Sequence, residues 1–265
     1  MRAKKSLGQN FLRDKSAIKR IVDSLDLRGD EAVIEIGPGQ GALTERLLEK
    51  AASVIAIEFD RDLVPRLRDR FSENNLKLFN ADALNVDFAQ FAAADLKSEI
   101  SHLKLAANLP YNISTPILQR LIEQRQFFST MVLMFQREVV ERITAKPGGR
   151  DRGYLSVLVE NAFDAEYLFD VPPEAFQPIP RVWSAVVRLT PKEASIADDE
   201  GVFRNIVSIS FAQKRKTILN NLKTRFEQAA IALEDSDING RRRAESLTLE
   251  EWARLTASIK KMPGT

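Results

Sequence analysis

The sequence predicts an α/β fold, a mostly parallel sheet with helices on both faces, followed by a small all-α C-terminal domain. Three observations carry that prediction. Short β-branched runs alternate with amphipathic helical spacing, a glycine turn joins the first run to its helix, and strand patterning stops near residue 200. A length of 265 residues accommodates one large domain and one small one.

Taken in order, Ile18, Ile21, Val22 and Leu25 fall at i, i+3, i+4 and i+7, which marks a helix between Asp14 and Leu25. Ala32-Val33-Ile34-Glu35-Ile36 is a strand that breaks into Gly37-Pro38-Gly39-Gln40-Gly41, after which Leu43, Leu47 and Leu48 resume helical spacing. Further strands are expected at 54–57, ending at Glu58, at 76–79, ending near Asp82, and at 103–107, ending at Asn108. Ser114-Thr115-Pro116 is expected to open a helix with a capping hydroxyl and a proline at the first helical position. Met131 to Phe135 is a wholly apolar strand, and Lys146 to Gly153 is an exposed loop. Strands through Glu166–Val171 and Ser184–Leu189 are joined by a segment too short for a crossover helix, so an antiparallel pair is expected there. The acidic stretch from Pro191 to Gly201 reads as a linker. Beyond it, helical spacing through Phe203–Phe211 and Ile218–Phe226, and a capping box at Thr248 and Glu251, define the helical domain. The boundary is placed between domains 1–197 and 198–265, the first carrying a basic N-terminal tail.

With 44% hydrophobic and 29% charged residues the chain has the composition of a soluble globular protein. The absence of Cys excludes disulfide frameworks, thiolate zinc sites, iron–sulfur ligation and cysteine nucleophiles. His102 is the sole histidine, so a Ser-His hydrolase or an imidazole metal centre would depend on that one residue, and no metal-ligand cluster is indicated. The start lacks an apolar targeting core and no stretch approaches the ~18 apolar residues of a membrane span, so a soluble, reducing compartment is expected, most simply the cytoplasm. The net charge of +2 hides an asymmetry: residues 1–20 carry +6, residues 21–200 carry −9 and residues 201–265 carry +5. Basic ends around an acidic body suit a polyanion, although solvated surface charge would look the same.

Gly37, Gly39 and Gly41 after a strand let the backbone turn and approach a ligand, with helix N–H groups facing the same space. The spelling also satisfies G-x-G-x-x-A through Ala42, which keeps a nicotinamide dinucleotide in play, and a glycine turn can serve only to pack a helix on a strand. Glu58 can accept from ribose hydroxyls in either kind of cofactor. Glu35 and Asp82, the latter placed to accept from an adenine amino group, tilt the reading toward S-adenosylmethionine; the plainer role for Asp82 is a turn or cap residue. Gly37, Glu58, Asp82 and Asn108 should converge on one crevice at the carboxyl ends of the strands.

Asn108-Leu109-Pro110-Tyr111 follows the fourth expected strand. The adenine amino group is a poor nucleophile because its lone pair is delocalised into the ring. The Asn108 side-chain oxygen and the Pro110 carbonyl are placed to accept both amino hydrogens, and Tyr111 to stack on an unstacked purine. With a sulfonium donor, positioning and desolvation dominate and no histidine base is needed.

These motifs together resemble the ribosomal RNA adenine N6,N6-dimethyltransferase family, in particular its bacterial small-subunit type. The likeness covers nearly the whole chain: Gly8-Gln9-Asn10-Phe11-Leu12, Glu35 to Gly41, Asn80-Ala81-Asp82-Ala83, Asn108 to Ser114, and Phe176-Gln177-Pro178-Ile179-Pro180-Arg181-Val182-Trp183-Ser184. The resemblance implies a Rossmann-like S-adenosylmethionine-dependent methyltransferase fold, with Asn10, Leu12, Gly37, Glu58, Asp82 and Asn108 holding the cofactor. It implies that Asn108 and Pro110 poise the amine and that Tyr111 and Phe176 clamp the adenine. In the terminal domain, Phe211 to Asn220 matches the opening of the family's RNA-docking unit, so Lys214, Arg215 and Lys216 are expected on RNA, or on a plain solvated face. The implied substrate is a pair of adjacent adenines in the 3′-terminal hairpin loop of small-subunit rRNA within the immature subunit. No obligate protein partner is inferred, and Trp183 and the Arg241-Arg242-Arg243 run have no family role. The competing readings are a large-subunit rRNA adenine methyltransferase, a non-catalytic RNA-binding relative and a nicotinamide-dependent oxidoreductase.

Overall fold

A computed structural model describes residues 3–4, 7–71, 75–94, 103–196 and 199–262. His102 and the expected domain boundary at 197/198 lie outside them. The chain forms two compact units, one of Met1–Val140 with Ala165–Pro191 and the other of Glu141–Asp164 with Lys192–Thr265.

The first unit contains β1 (Phe11–Leu12), α1 (Lys15–Asp23), β2 (Ala32–Ile36), α2 (Ala42–Leu48), β3 (Ser53–Glu58), α3 (Val64–Arg70), β4 (Leu76–Asn80), α4 (Ala89–Ala94), β5 (Leu103–Asn108), α5 (Ser114–Glu123) and β6 (Phe128–Gln136). After α6 (Arg137–Ile143) and α7 (Tyr154–Ala162) the chain returns through β7 (Phe163–Val171), β8 (Phe176–Gln177) and β9 (Ser184–Pro191). Among the described residues a seven-stranded sheet has the order β4-β3-β2-β5-β6-β9-β7. β2 runs parallel to both β3 and β5, and β6 is parallel to β5 and antiparallel to β9. Every residue of β2 is buried, as a strand covered on both faces requires.

Strand order reverses at β2 and β5, and that is where an open α/β sheet leaves a crevice at its carboxyl edge. Register aligns that edge: Ile36 sits opposite Ile57 and Ala107, and Glu58 opposite Asn80. Gly37, Glu58, Asp82 and Asn108 therefore emerge in a row.

Three local expectations change. The helix at 114 begins on Ser114 itself after a 3-10 turn at Tyr111–Ile113, and the Ser114 hydroxyl donates to the Tyr111 carbonyl at 3.1 Å instead of capping an N–H. Pro116 then occupies the third helical position, still within the first turn, where no backbone donor is missed. Phe11–Leu12 forms a strand that pairs antiparallel with Phe176–Gln177. Helices α6 and α7 are additional.

The second unit holds α7 with α8 (Glu200–Ser210), α9 (Ile218–Leu222), α10 (Ala229–Asp235) and α11 (Leu249–Lys260). It therefore draws residues 141–164 away from the domain that ends at 197 in the sequence reading. Arg152 explains the grouping. Its side chain is fully buried and donates to the carbonyls of Ala145 and Leu247 and to the Glu160 carboxylate, so the 145–160 stretch shares a core with residue 247. Trp252 is buried and stacks on Phe211 with ring centroids 6.0 Å apart. Thr248 and Glu251 form the expected capping box of α11. Among the described residues no helix is long and apolar enough to cross a membrane.

Gly41 opens α2 at φ +82°, and a Cβ there would lie 2.4 Å from the Phe71 ring. Gly41→Ala combines left-handed strain with overpacking, and a loss of about 2 to 4 kcal/mol is expected. Urea unfolding would register it as a lower midpoint with an unchanged m-value, whereas an unchanged midpoint would mean that Phe71 moves aside freely.

Candidate active site

At the carboxyl edge of the sheet lies a cavity of about 270 Å³ within the first unit. Its wall is formed by the N-terminal segment 7–12, the glycine turn after β2, the end of β3, residues 81–84 after β4 and residues 108–113 after β5. Asn10, Leu12, Gly37, Glu58, Asp82, Asn108, Pro110 and Tyr111 all line it, so the structure brings together residues spread over about a hundred positions of sequence.

The glycine turn is shaped by three positive φ values, +70° at Gly37, +59° at Gly39 and +82° at Gly41. A Cβ on Gly39 would press on the Phe11 ring at 3.1 Å, so the turn and the N-terminal segment close on each other only because that atom is missing. The Glu58 carboxylate ties the turn to β3: Oε2 accepts from the Gly39 N–H at 3.0 Å and Oε1 from the Asp60 N–H at 2.7 Å. Burial pushes its pKa up, opposed by those two N–H groups. Asp82 fills the turn role and lines the wall as well, with Oδ1 accepting from the Leu84 N–H at 3.0 Å. The Asn108 amide donates from Nδ2 to the Asn10 carbonyl at 3.2 Å, which leaves Oδ1 as the acceptor end. The Tyr111 phenol shares a 2.9 Å hydrogen bond with Ser184 Oγ. Burial raises its pKa further and keeps the hydroxyl protonated.

Two features escape the motif reading. Lys4 Nζ bonds the carboxylates of Asp60 and Asp62, and Gln9 Nε2 donates to Asp60 at 2.8 Å, so the segment that forms one wall of the cavity is latched to the loop after β3. Phe59, exposed, lines the cavity beside Glu58. The Glu-Phe-Asp spelling after a strand was the available signal, but nothing in it points toward Lys4.

Phe176 is different. It is 3% exposed, packs in the core with Phe11 and Leu12, and is not among the residues lining the cavity. β8 pairs with β1, which sets Phe176 opposite Leu12. Of the two expected clamp rings, Tyr111 lines the cavity and Phe176 packs beside Leu12, which lines it. Lys214, Arg215 and Lys216 belong to the other unit, exposed on the turn between α8 and α9. That turn is held by Asn221, whose Nδ2 donates to the carbonyls of Ser210 and Gln213 at 2.7 and 3.2 Å.

The wall tests the cofactor by its chemistry. It carries three acidic side chains, Glu35, Glu58 and Asp82, and no Lys or Arg among the described residues. A cationic ligand with hydroxyl and amino donors fits such a lining; a dinucleotide bearing a pyrophosphate does not gain from it. Fold and cavity define a Rossmann-like S-adenosylmethionine-dependent methyltransferase.

Comparison with known proteins narrows this class. The family model for ribosomal RNA adenine dimethylase matches residues 1–261, and the chain belongs to that family. It is 46% identical over 260 residues to ribosomal RNA small subunit methyltransferase A of Chromohalobacter salexigens, covering 97% of this chain and 91% of the relative. The protein of the same description from Geobacillus kaustophilus is 42% identical, with 98% and 92% covered. A dimethyladenosine transferase from Plasmodium falciparum superposes with a TM-score of 0.80 at 28% identity, covering 95% of this chain and 98% of the other. The 23S rRNA methyltransferase ErmE gives 0.71 at 26% identity, with 95% and 100% covered.

Glu35 is 1% exposed, accepts from the Thr44 hydroxyl at 2.7 Å, and is pushed up to about 8, chiefly by burial, with the nearby Glu58 charge adding to it. The folded chain therefore keeps a proton that the unfolded chain releases near pH 4.5, so stability falls as pH rises from about 4.5 to about 8 and levels off above. Glu35→Gln is expected to flatten the thermal midpoint across that window. Equal pH slopes for both proteins would show that the buried carboxyl ionises freely.

Proposed function

We propose that this chain transfers methyl groups to the N6 nitrogens of two adjacent adenines in the 3′-terminal hairpin loop of small-subunit rRNA. The observation that carries the reading is the meeting of an acidic cavity with the Asn108-Leu109-Pro110-Tyr111 segment at one edge of the sheet. Whole-length membership of the family, and relatives named for the small subunit at 42 to 46% identity, support the small subunit over the large. The acid-lined wall speaks against a nicotinamide dinucleotide.

When bound, S-adenosylmethionine supplies an electrophilic methyl group on a positively charged sulfur. Asn10, Leu12, Gly37, Glu58, Asp82 and Asn108 are the residues proposed to hold it, Glu58 at ribose hydroxyls and Asp82 at the adenine amino group. Asn108 Oδ1 and the Pro110 carbonyl accept the two hydrogens of the target amine, which localises the nitrogen lone pair and aims it into the cavity. Tyr111 stacks on the extruded base and offsets part of its unstacking cost. Burial and the Ser184 hydrogen bond fix that ring before the base arrives. No side chain has to take the proton before attack, because the amine becomes acidic only once the new N–C bond has formed.

Lys214, Arg215 and Lys216 are proposed to dock phosphates, and the immature small subunit in the cytoplasm is the proposed substrate particle. Radiolabelled methyl transfer to immature small subunits, compared with large-subunit RNA, tests the whole reading: labelling of the large-subunit RNA alone would reassign the substrate.

Asn108→Ala is expected to cut methyl transfer by roughly a hundredfold or more, the scale of losing positioning at the reacting atom, with RNA affinity almost unchanged. Parallel losses in filter binding and turnover would make Asn108 a folding residue. Replacing Lys214, Arg215 and Lys216 together by Gln should weaken RNA binding and reduce its salt dependence by a logarithmic slope of about 0.7 to 0.9 for each phosphate no longer engaged. Titrations at several salt concentrations would read this directly, and an unaltered slope would remove those side chains from the interface.

A further inference from the structure

Trp183 has no part in the site described above, yet its surroundings mark it. It is 43% exposed, whereas the other tryptophan, Trp252, is wholly buried. Val182 and Ile179 on the same segment are also exposed, 42% and 65%. A large indole left in water costs free energy in the isolated protein, and clustered exposed apolar side chains mark contact surfaces.

The position is held firmly. The Arg137 N–H donates to the Trp183 carbonyl at 2.9 Å, and the Arg137 guanidinium lies over the indole at 5.7 Å from the ring centroid. The next residue, Ser184, pairs with Gln136 in the sheet and shares the hydrogen bond with the Tyr111 phenol. The indole thus stands one residue from the group that fixes the ring proposed to stack on the target adenine.

We propose that Trp183, backed by Arg137, is a second stacking platform that takes the RNA base neighbouring the target adenine. The inference rests on the adenine reading above. Charge selects the occupant: no acidic residue stands between Phe176 and Trp183, while Arg181 is exposed on the segment and Arg137 sits at the ring. An aromatic face joined to guanidinium groups matches the stacked base and flanking phosphate of single-stranded RNA, and any base satisfies it because every base has a π-face. Extruding one adenine from a hairpin loop leaves its neighbour without a stacking partner, and Trp183 supplies one on the protein side.

The test uses the full chain, S-adenosylmethionine and a hairpin RNA of the small-subunit loop, with 2-aminopurine beside the target adenine on the side away from the second target adenine. Wild-type protein is expected to quench the probe and to lose tryptophan emission on binding. Trp183→Ala should abolish both signals and raise the KM for the hairpin roughly tenfold, the worth of one base–aromatic stack, with kcat, cofactor affinity and melting temperature unchanged. Trp183→Phe should restore most of the KM and the probe quenching. Unchanged KM and quenching in Trp183→Ala would overturn the proposal. So would a loss confined to assembled particles with normal hairpin binding, since the indole would then face a ribosomal protein. If wild-type protein methylates no small-subunit substrate, the adenine reading fails first and is identified by that control.

Discussion

The turn between β2 and α2 depends on one carboxylate. Of the three glycines with positive φ, Gly37 donates to the Ile57 carbonyl and Gly41 to the Pro38 carbonyl, whereas Gly39 turns its N–H toward a side chain, and leaving that group unpaired would be costly in a partly buried loop. Glu58 removes that cost by accepting from Gly39 and Asp60 at once, which fixes the glycine turn to the end of the neighbouring strand. Charge-assisted bonds of this kind offset part of the cost of burying the carboxylate. The same group sets the electrostatics of the cavity floor. Glu35 lies one strand away, wholly buried, and the Glu58 charge helps to keep it protonated. A cation arriving in the cavity acts on both acids in the direction opposite to burial, so the pocket is electrostatically prepared for positive charge.

The N-terminal segment completes the enclosure by a different kind of bond. Phe11 and Leu12 add a two-residue strand to Phe176–Gln177, and the N–H groups of Arg13 and Asp14 donate to the Ala175 carbonyl. At its outer end, Lys4 and Gln9 reach Asp60. Burial opposes the Asp60 charge, but the Lys4 and Gln9 bonds outweigh it and hold its pKa below the ordinary carboxylate value. Asp60 thus links the wall to the loop that also pins Glu58, so the wall and the floor of the cavity share a residue.

Much of this was legible from local pattern. The strand at 32–36 coincides with its short β-branched run, and the carboxyl-edge row of Gly37, Glu58, Asp82 and Asn108 follows from parallel topology. What stayed hidden is instructive. Helix α7 buries Leu155, Ser156, Val157, Leu158 and Val159 in succession, so no amphipathic stripe distinguishes it from strand or loop. A two-residue strand such as Phe11–Leu12 has no period at all. The pairing of Phe176 with Leu12, which sets that ring beside the N-terminal segment, joins residues more than 160 positions apart and has no local signature. The grouping of α7 with the helical unit is tied in part by Arg152, a charged residue whose partners lie as far as residue 247 and which composition would have assigned to the surface.

An acidic cavity and a phosphate polymer repel each other, so affinity and chemistry must come from different surfaces. Phosphate contacts at Lys214 to Lys216 would hold RNA without reading its sequence. In the proposed reaction, selection of the base falls to two acceptors, Asn108 Oδ1 and the Pro110 carbonyl. An amino group satisfies both, whereas the O6 of guanine would point an acceptor at acceptors. The same logic bears on repetition. After one methyl group is added, N6 retains a single hydrogen, so only one acceptor is satisfied in the second transfer. The amide anchored to the Asn10 carbonyl would keep its oxygen in place for either transfer, while the Pro110 carbonyl, which also accepts from the Ile113 N–H at 3.2 Å, would keep a partner when it faces a methyl group. On the proposed reading, two additions to one nitrogen ask for a rigid acceptor and a tolerant one, the roles assigned to Asn108 and Pro110.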